Sequence, residues 1–222
     1  MRTIKYLGFS ILAPALNMAI DDVFFHKAIE DQDTAIIRFF KFNKACISIG
    51  KNQKLDSLPI NISNSELEIV RRPTGGGAVI HRDDLCYSIV IPEYYLGKHA
   101  SLLRSYSLIT DGLKSGFQLC GVNVEYGTDD TNKVEPLCFN KALPYELAIH
   151  GEKLVGSAQR RAKGILLQQG SIMNKHNIPD DELVIAILNG LKRSLNIEYV
   201  YEPLSHEEIF KLTTPQSSKV SL

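Results

Sequence analysis

Apolar residues recur at helical spacing at Leu16, Ile20, Val23, Phe24 and Ala28, which predicts an amphipathic helix over residues 14–30. The chain then switches to short apolar runs of the kind that form strands: AIIRFF at 35–40, ACISIG at 45–50, EIVRR at 68–72, AVIH at 78–81 and LCYSIVI at 85–91. Residues 53–67 are polar and contain proline, the mark of a connecting loop with a short helical turn. Leu102, Tyr106, Ile109, Leu113 and Phe117 form one stripe, so a second helix is expected over 101–120. NVEY at 123–126 reads as a strand, and GTDDTNKVEP at 127–136 as a surface loop.

Alternation resumes in YELAIHGEKLVGSAQ on both sides of His150-Gly151, the pattern of a hairpin, and GILLQQGSIM at 164–173 continues the sheet. Leu183, Ile187, Leu188 and Leu191 place a third helix at 180–195. Hairpin strands with flanking helices define the class as α+β, a single domain with a mainly antiparallel or mixed sheet covered on one face. Residues 1–212 are assigned to that domain, and 213–222, TTPQSSKVSL, to a flexible tail.

Composition narrows the partners. Lysine plus arginine equals aspartate plus glutamate, 25 each, so no overall field favours nucleic acid or an anionic membrane. No apolar stretch reaches the eighteen or so residues of a membrane span, and the short N-terminal run holds Pro14, so neither an anchor nor a signal peptide is expected. The default location is the cytoplasm. Cys46, Cys86, Cys120 and Cys138 form no CxxC pair, so no metal site is expected.

Three segments carry candidate chemistry. In Arg71-Arg72-Pro73-Thr74-Gly75-Gly76-Gly77-Ala78-Val79-Ile80-His81, consecutive glycines between strands let the backbone approach a ligand, and the arginines can pair with an anion. A plain tight turn is the competing reading. In Gly151–Gln159, Lys153, Val155 and Ser157 share one strand face, and Leu154, Gly156 and Ala158 the other. Lys153 there is either a positive charge reaching a pocket or a solvated hairpin residue. Cys138 follows a polar loop and precedes the YELAI strand, where a thiol can act as a nucleophile or be merely structural, while Cys46, Cys86 and Cys120 read as small buried hydrophobes. His81 ends a strand beside the glycine turn. The acidic pairs Asp21-Asp22, Asp83-Asp84 and Asp129-Asp130 read as solvated, and no Ser/His/Asp ordering stands out.

At these segments the chain resembles the lipoate–protein ligase and octanoyltransferase family, which shares a catalytic domain with biotin ligases. RRPTGGGAVIH is similar to its RR-x-x-GGGAV-x-H loop, GEKLVGSAQ to its GKK-(I/V)-x-GSAQ signature, and PALNMAIDD to its NMA-x-D helix. The arginine-rich loop of biotin ligases has no counterpart here. The resemblance implies that Arg72, Gly75, Gly76, Gly77, Ala78, Val79, Ile80, His81, Gly156, Ser157 and Ala158 bind an acyl or acyl-adenylate group. It also implies that Lys153 holds the carbonyl and phosphate oxygens of an activated acyl group.

Two mechanisms follow from the family. Ligases activate free lipoate as lipoyl-AMP with ATP and Mg2+, often helped by an accessory domain that a separate chain could supply. Octanoyltransferases need no cofactor and take the acyl group from acyl carrier protein on a cysteine. Cys138-Phe139 followed by Tyr145-Glu146-Leu147 is similar to the context of that nucleophile, whereas Gly75-Gly76-Gly77-Ala78-Val79 is the ligase form of the loop. The leading expectation is ATP-dependent attachment of lipoyl or octanoyl to a lysine of a lipoyl domain, such as 2-oxoacid dehydrogenase E2 subunits or the glycine cleavage H protein. Transfer through Cys138 is the alternative, and a non-catalytic lipoate- or carrier-binding protein is the rival from another class.

Overall fold

Runs in which every residue is apolar, rather than every second one, dictate a sheet buried on both faces. The computed structural model, which describes residues 2–59, 66–97, 100–127, 145–173 and 175–213, contains such a sheet. Its strands are β1 (Arg2–Leu12), β2 (Ile36–Phe42), β6 (Leu85–Pro92), β7 (Glu125–Tyr126), β8 (Leu147–Ile149), β9 (Glu152–Ala162), β10 (Ile165–Ile172) and β11 (Ile197–Tyr201), in the order β11-β1-β2-β6-β10-β9-β8-β7. β1 runs parallel to both β11 and β2; the remaining pairings are antiparallel. A second sheet, β4-β3-β5, is built from β3 (Cys46–Ile49), β4 (Glu68–Arg71) and β5 (Val79–His81).

Among the described residues, four α-helices pack on this frame: α1 (Pro14–Asp31), α2 (Leu102–Leu119), α3 (Asp180–Leu195) and α4 (His206–Thr213). The sheet is mixed, as expected, but helices cover both faces rather than one. Ile37, Phe39, Tyr87, Ile89 and Leu166 point toward α2 and α3, while their neighbours Ile36, Val90, Ile165 and Leu167 meet Ile20, Phe24, Phe25 and Ala28 of α1. Alternate residues of one strand therefore feed two cores.

Local signals fix the helix ends. Pro14 occupies the first turn of α1, and Ser101 caps α2 by accepting from the Arg104 N–H at 3.1 Å. Asp180, Asp181 and Glu182 open α3 and Lys192 and Arg193 close it, each sign matched to the helix dipole. α2 and α3 approach so closely that a Cβ on Gly190 would lie 2.0 Å from the Gly112 carbonyl oxygen.

Several expectations are refined. The hairpin turns at His150 and Gly151, both in the left-handed region at φ 51° and 75°, the conformation of a two-residue type I′ loop. Arg2–Leu12, read only as part of a short apolar run, form β1. Ile197–Tyr201 and His206–Thr213, unassigned from the sequence, form β11 and α4. Thr213, placed in the tail, ends α4; residues 214–222 and most of the expected loop at 127–136 lie outside the described residues. Among the described residues no helix is long and apolar enough to cross a membrane.

Candidate functional site

The register of four strands builds the floor of a cavity. Phe40, Cys86, Ser171 and Gly156 stand side by side across β2, β6, β10 and β9. Next to that row Ala158 contributes only a methyl group, so the β9 end of the floor is low and a space of about 410 Å³, counting its open mouth, lies above it. Met18, Phe40, Phe42 and Val79 give this space apolar walls, and Ser48, Arg72 and His81 add polar ones. Gly156, Ser157 and Ala158 line it, so the structure brings the glycine-loop segment and the GSAQ segment to one cavity.

The glycine loop is shaped by its own arginine. Arg72 is buried and donates from Nε and Nη2 to the Gly75 carbonyl (3.1 and 2.5 Å), from Nη2 to the Gly77 carbonyl (2.8 Å), and from Nη1 to the Ser48 carbonyl and hydroxyl (3.1 and 3.2 Å). Arg71 donates to the carbonyls of Gly50, Lys51 and Gln53 at 2.8–3.1 Å. Both guanidinium groups thus staple backbone. Gly76 sits at φ 89°, and its carbonyl oxygen would lie 2.1 Å from a Cβ on Gly50, so the loop can close only over a residue without a side chain.

A buried polar chain ties the loop to the first helix. The Thr74 hydroxyl donates to Gln169 Oε1 at 2.7 Å, and Gln169 Nε2 donates to Asp21 Oδ2 at 2.6 Å. Asp21 Oδ1 accepts from Arg38 Nε at 2.7 Å, and Arg38 also donates to the Asn17 side chain and carbonyl at 3.0 and 2.6 Å. All five side chains are buried. Asp21 is therefore not solvated, as its sequence neighbourhood suggested; an arginine 17 residues away compensates its charge.

Asp84 is the second acidic residue that proves buried. Its Oδ2 accepts from His81 Nδ1 at 2.6 Å, from Ser171 Oγ at 2.5 Å and from the Cys86 thiol at 3.3 Å. Burial pushes this carboxyl up, but the donated bonds and the His81 ring outweigh it and hold it at about 2. The Ser48 hydroxyl lies 2.8 Å from His81 Nε2, completing a Ser48–His81–Asp84 arrangement built from β3, β5 and the turn before β6. No such ordering was visible along the chain, because Ser48 reaches His81 only through the pairing of β3 with β5. His81, Asp84 and Cys86 bring one donor atom each within 4.8 Å of one another, yet the carboxylate already accepts three bonds. Burial pushes the Cys46 thiol up to about 12 and the Cys86 thiol well above its ordinary value, as expected of structural cysteines. Cys120, expected to be equally buried, is half-buried at the end of α2.

Lys153 is not a solvated hairpin residue. Its Nζ lies 2.7 Å from Glu146 Oε2, and both side chains are only 3% exposed. Glu146 Oε1 also accepts from the Ser157 N–H at 3.4 Å, which links the pair to the cavity wall. The Ser157 hydroxyl turns to the opposite face and meets the Tyr87 hydroxyl at 2.7 Å, which in turn accepts from Gln168 Nε2 at 2.8 Å. Lys153 itself stands behind the wall that Ser157 forms. Cys138 lies outside the described residues.

Sequence reasoning passed over Met18, Phe40, Phe42, Ser48, Thr74, Asp84, Glu146 and Gln169. Glu146 was available in the YEL segment, one residue before β8, where a lone carboxylate at the start of an apolar strand signals a buried partner.

Gly75, Gly76, Gly77, Ala78 and Ile80 do not line the cavity; Arg72, Val79 and His81 of the same segment do. A mixed sheet with helices on both faces and a small-molecule-sized cavity over its central strands define the architecture. Residues 13–202 match the family model of the lipoyl protein ligase A/B catalytic domain, and the chain belongs to that family. It is 37% identical to the octanoyltransferase LipM of Oceanobacillus iheyensis over 74% of its own length and 61% of the relative's. Against the octanoyltransferase LipM of Bacillus subtilis it is 33% identical, covering 77% of this chain and 65% of the other. The chain thus spans about three fifths to two thirds of the length of these relatives. Its fold matches a crystal structure of lipoate-protein ligase A bound with ATP at a TM-score of 0.78, with 17% identity and coverage of 96% and 92% of the two chains. A bipartite lipoate protein ligase from Thermoplasma acidophilum matches at 0.72, with 17% identity and coverage of 94% and 90%.

Proposed function

We propose that this chain transfers a medium-chain acyl group, octanoyl or lipoyl, to a lysine of a lipoyl carrier domain, and that octanoyl from an acyl carrier thioester is its donor. The observation that carries the donor is the similarity of 33–37% to proteins named octanoyltransferase, together with Cys138-Phe139 ahead of Tyr145-Glu146-Leu147. This shifts the weight away from the ATP-dependent ligation that the glycine loop favours. The apolar walls at Met18, Phe40, Phe42 and Val79 suit the hydrocarbon tail, and the rim at Gly156 and Ser157 suits its carbonyl.

In this reading the Cys138 thiolate attacks the donor carbonyl, an acyl-enzyme thioester forms, and the carrier thiol leaves with the proton. The neutral amine of the acceptor lysine then attacks the new thioester, an amide forms, and the Cys138 thiol is regenerated. Lys153, swinging from Glu146, opposes the negative charge that develops on the carbonyl oxygen in both steps. A second reading, activation of free lipoate by ATP and Mg2+, is favoured by the ligase form of Gly75-Gly76-Gly77-Ala78-Val79. The acceptors proposed are E2 subunits and the H protein, in the cytoplasm.

The test is the intact mass of a lipoyl domain after incubation with octanoyl-acyl carrier protein, or with lipoate, ATP and magnesium, each repeated with Cys138→Ala. Modification from the carrier that is lost in the variant is the expected result. Modification only with ATP and indifferent to the cysteine makes the chain a ligase. No mass gain with either donor leaves the binding-protein reading.

A further inference from the structure

We propose that Ser48, His81 and Asp84 form a second nucleophilic centre in the cavity wall, which hydrolyses medium-chain acyl thioesters with water as the acceptor. This centre rests on the reading above only in needing an acyl chain in the cavity, and it makes no use of Cys138. Ser48 and His81 both line that cavity, together with Arg72 and the apolar walls at Met18, Phe40, Phe42 and Val79.

The hydrogen bonds fix where each proton sits. Asp84 is held at about 2, so at neutral pH it is a carboxylate, and its Oδ2 accepts from His81 Nδ1 at 2.6 Å. In the neutral imidazole Nε2 is then the bare nitrogen. Ser48 Oγ accepts from Arg72 Nη1 at 3.2 Å, which leaves its own proton for Nε2, 2.8 Å away. This is the tautomer and the direction that a general base needs to take up a serine proton. The Phe42 ring packs on the imidazole with centroids 4.6 Å apart, and the carboxylate also accepts from the Arg82 N–H at 3.1 Å and the Ser171 hydroxyl at 2.5 Å.

The other nucleophiles that line the cavity lack this company. Burial pushes the Cys86 thiol well above its ordinary value, Ser171 donates its proton to Asp84, and the Ser157 hydroxyl pairs with Tyr87. In the reaction Ser48 Oγ attacks the thioester carbonyl as its proton passes to Nε2, and Arg72 opposes the charge on the carbonyl oxygen. The carbon–sulfur bond breaks, the thiol leaves with the proton from Nε2, and an acyl ester remains on Ser48. Water then attacks that ester and gives one proton to Nε2. The ester bond breaks, the fatty acid leaves, and Nε2 returns the proton to Ser48. For this the acyl carbonyl lies on the Ser48 side of the cavity, whereas transfer to lysine uses the Gly156 side.

The test uses the Cys138→Ala protein, which cannot hydrolyse through the transfer thiol, and octanoyl-N-acetylcysteamine with no acceptor protein. Release of free octanoate well above the buffer rate is expected. Adding Ser48→Ala or Asp84→Asn, with folding checked by circular dichroism, is expected to lower kcat about 100-fold or more. A fluorophosphonate probe gives a reading that does not depend on how those variants fold: it labels Ser48 of the Cys138→Ala protein, located by peptide mass. A Cys138→Ala protein that fails to hydrolyse the thioester, or that hydrolyses it without labelling on Ser48, overturns the proposal, whether or not wild type transfers to a lipoyl domain. Hydrolysis that persists in a folded Ser48→Ala variant overturns it as well. Hydrolysis that needs Ser48, beside a wild type that transfers to no lipoyl domain, supports this centre and removes only the transfer reading.

Discussion

Two buried ion pairs, Arg38–Asp21 and Lys153–Glu146, look alike in exposure and differ in company. Arg38 and Asp21 are 2% and 0% exposed and sit between α1 and the sheet, with Asn17 and Gln169 taking up their remaining hydrogen bonds. Lys153 and Glu146 are 3% exposed and stand at the start of β9 and just before β8, behind the Ser157 segment of the cavity wall. An arginine fork saturated by planar acceptors is a fixed joint. A lysine ammonium is a compact charge on a flexible stem that can swing toward a new oxygen. The contrast sets a pair that joins α1 to the sheet against the pair on which the proposed transfer draws.

The sharpest way to break this comparison is to replace each pair by apolar residues. Lys153→Met combined with Glu146→Leu is expected to keep the thermal midpoint near that of wild type, because both members of the buried pair are replaced together, while acyl transfer falls by about 100-fold or more. Steady-state kinetics beside differential scanning calorimetry reads both quantities. Retained transfer removes Lys153 from the mechanism.

Arg38→Met alone leaves the Asp21 carboxylate buried without its cation. It is expected to destabilise the fold by about 3–5 kcal/mol in urea titration, with kcat per folded molecule little changed. A large fall in kcat with intact stability would give the structural pair a catalytic share.

Asp84 offers a third buried carboxylate for calibration, held at about 2 against an ordinary 3.8. A depressed carboxyl stabilises the fold above its unfolded pKa and loses that contribution as the pH falls through the folded one. About 2 kcal/mol should therefore disappear between roughly pH 4 and pH 2, and Asp84→Asn should flatten this acid limb of the urea midpoint. The smallest effect is expected from Gln169→Leu, which leaves the Thr74 hydroxyl and one Asp21 oxygen short of a partner at a cost of about 1–2 kcal/mol. Its signature is a raised KM, since the glycine loop loses its anchor.

The helices α1, α2 and α3 and the strands from β2 to β10, the short exposed β7 apart, were legible because their apolar spacing forces burial. β1 was not, since MRTIKYLGFSIL fits neither the helical nor the strand period, and its place between two parallel partners is set by residues far along the chain. The solvated reading of Asp21 and Asp84 failed for a related reason. A carboxylate is buried when distant groups can accept it, and the partner of Asp21 on β10 is 148 residues away. The glycine and GSAQ segments were found by their residue types, whereas the apolar walls at Met18, Phe40 and Phe42 look in sequence like any core positions.

Gln169 gives this site a polar tie beside an apolar one. With one side-chain amide it connects the threonine of the loop at 71–81 to the aspartate of α1, two segments about fifty residues apart that also touch through Met18 and Val70. Thr74, Asp21 and Gln169 are thereby bound as one heritable unit. A change at one of them strands a hydrogen-bonding group on another, so relatives that differ here should tend to differ in pairs.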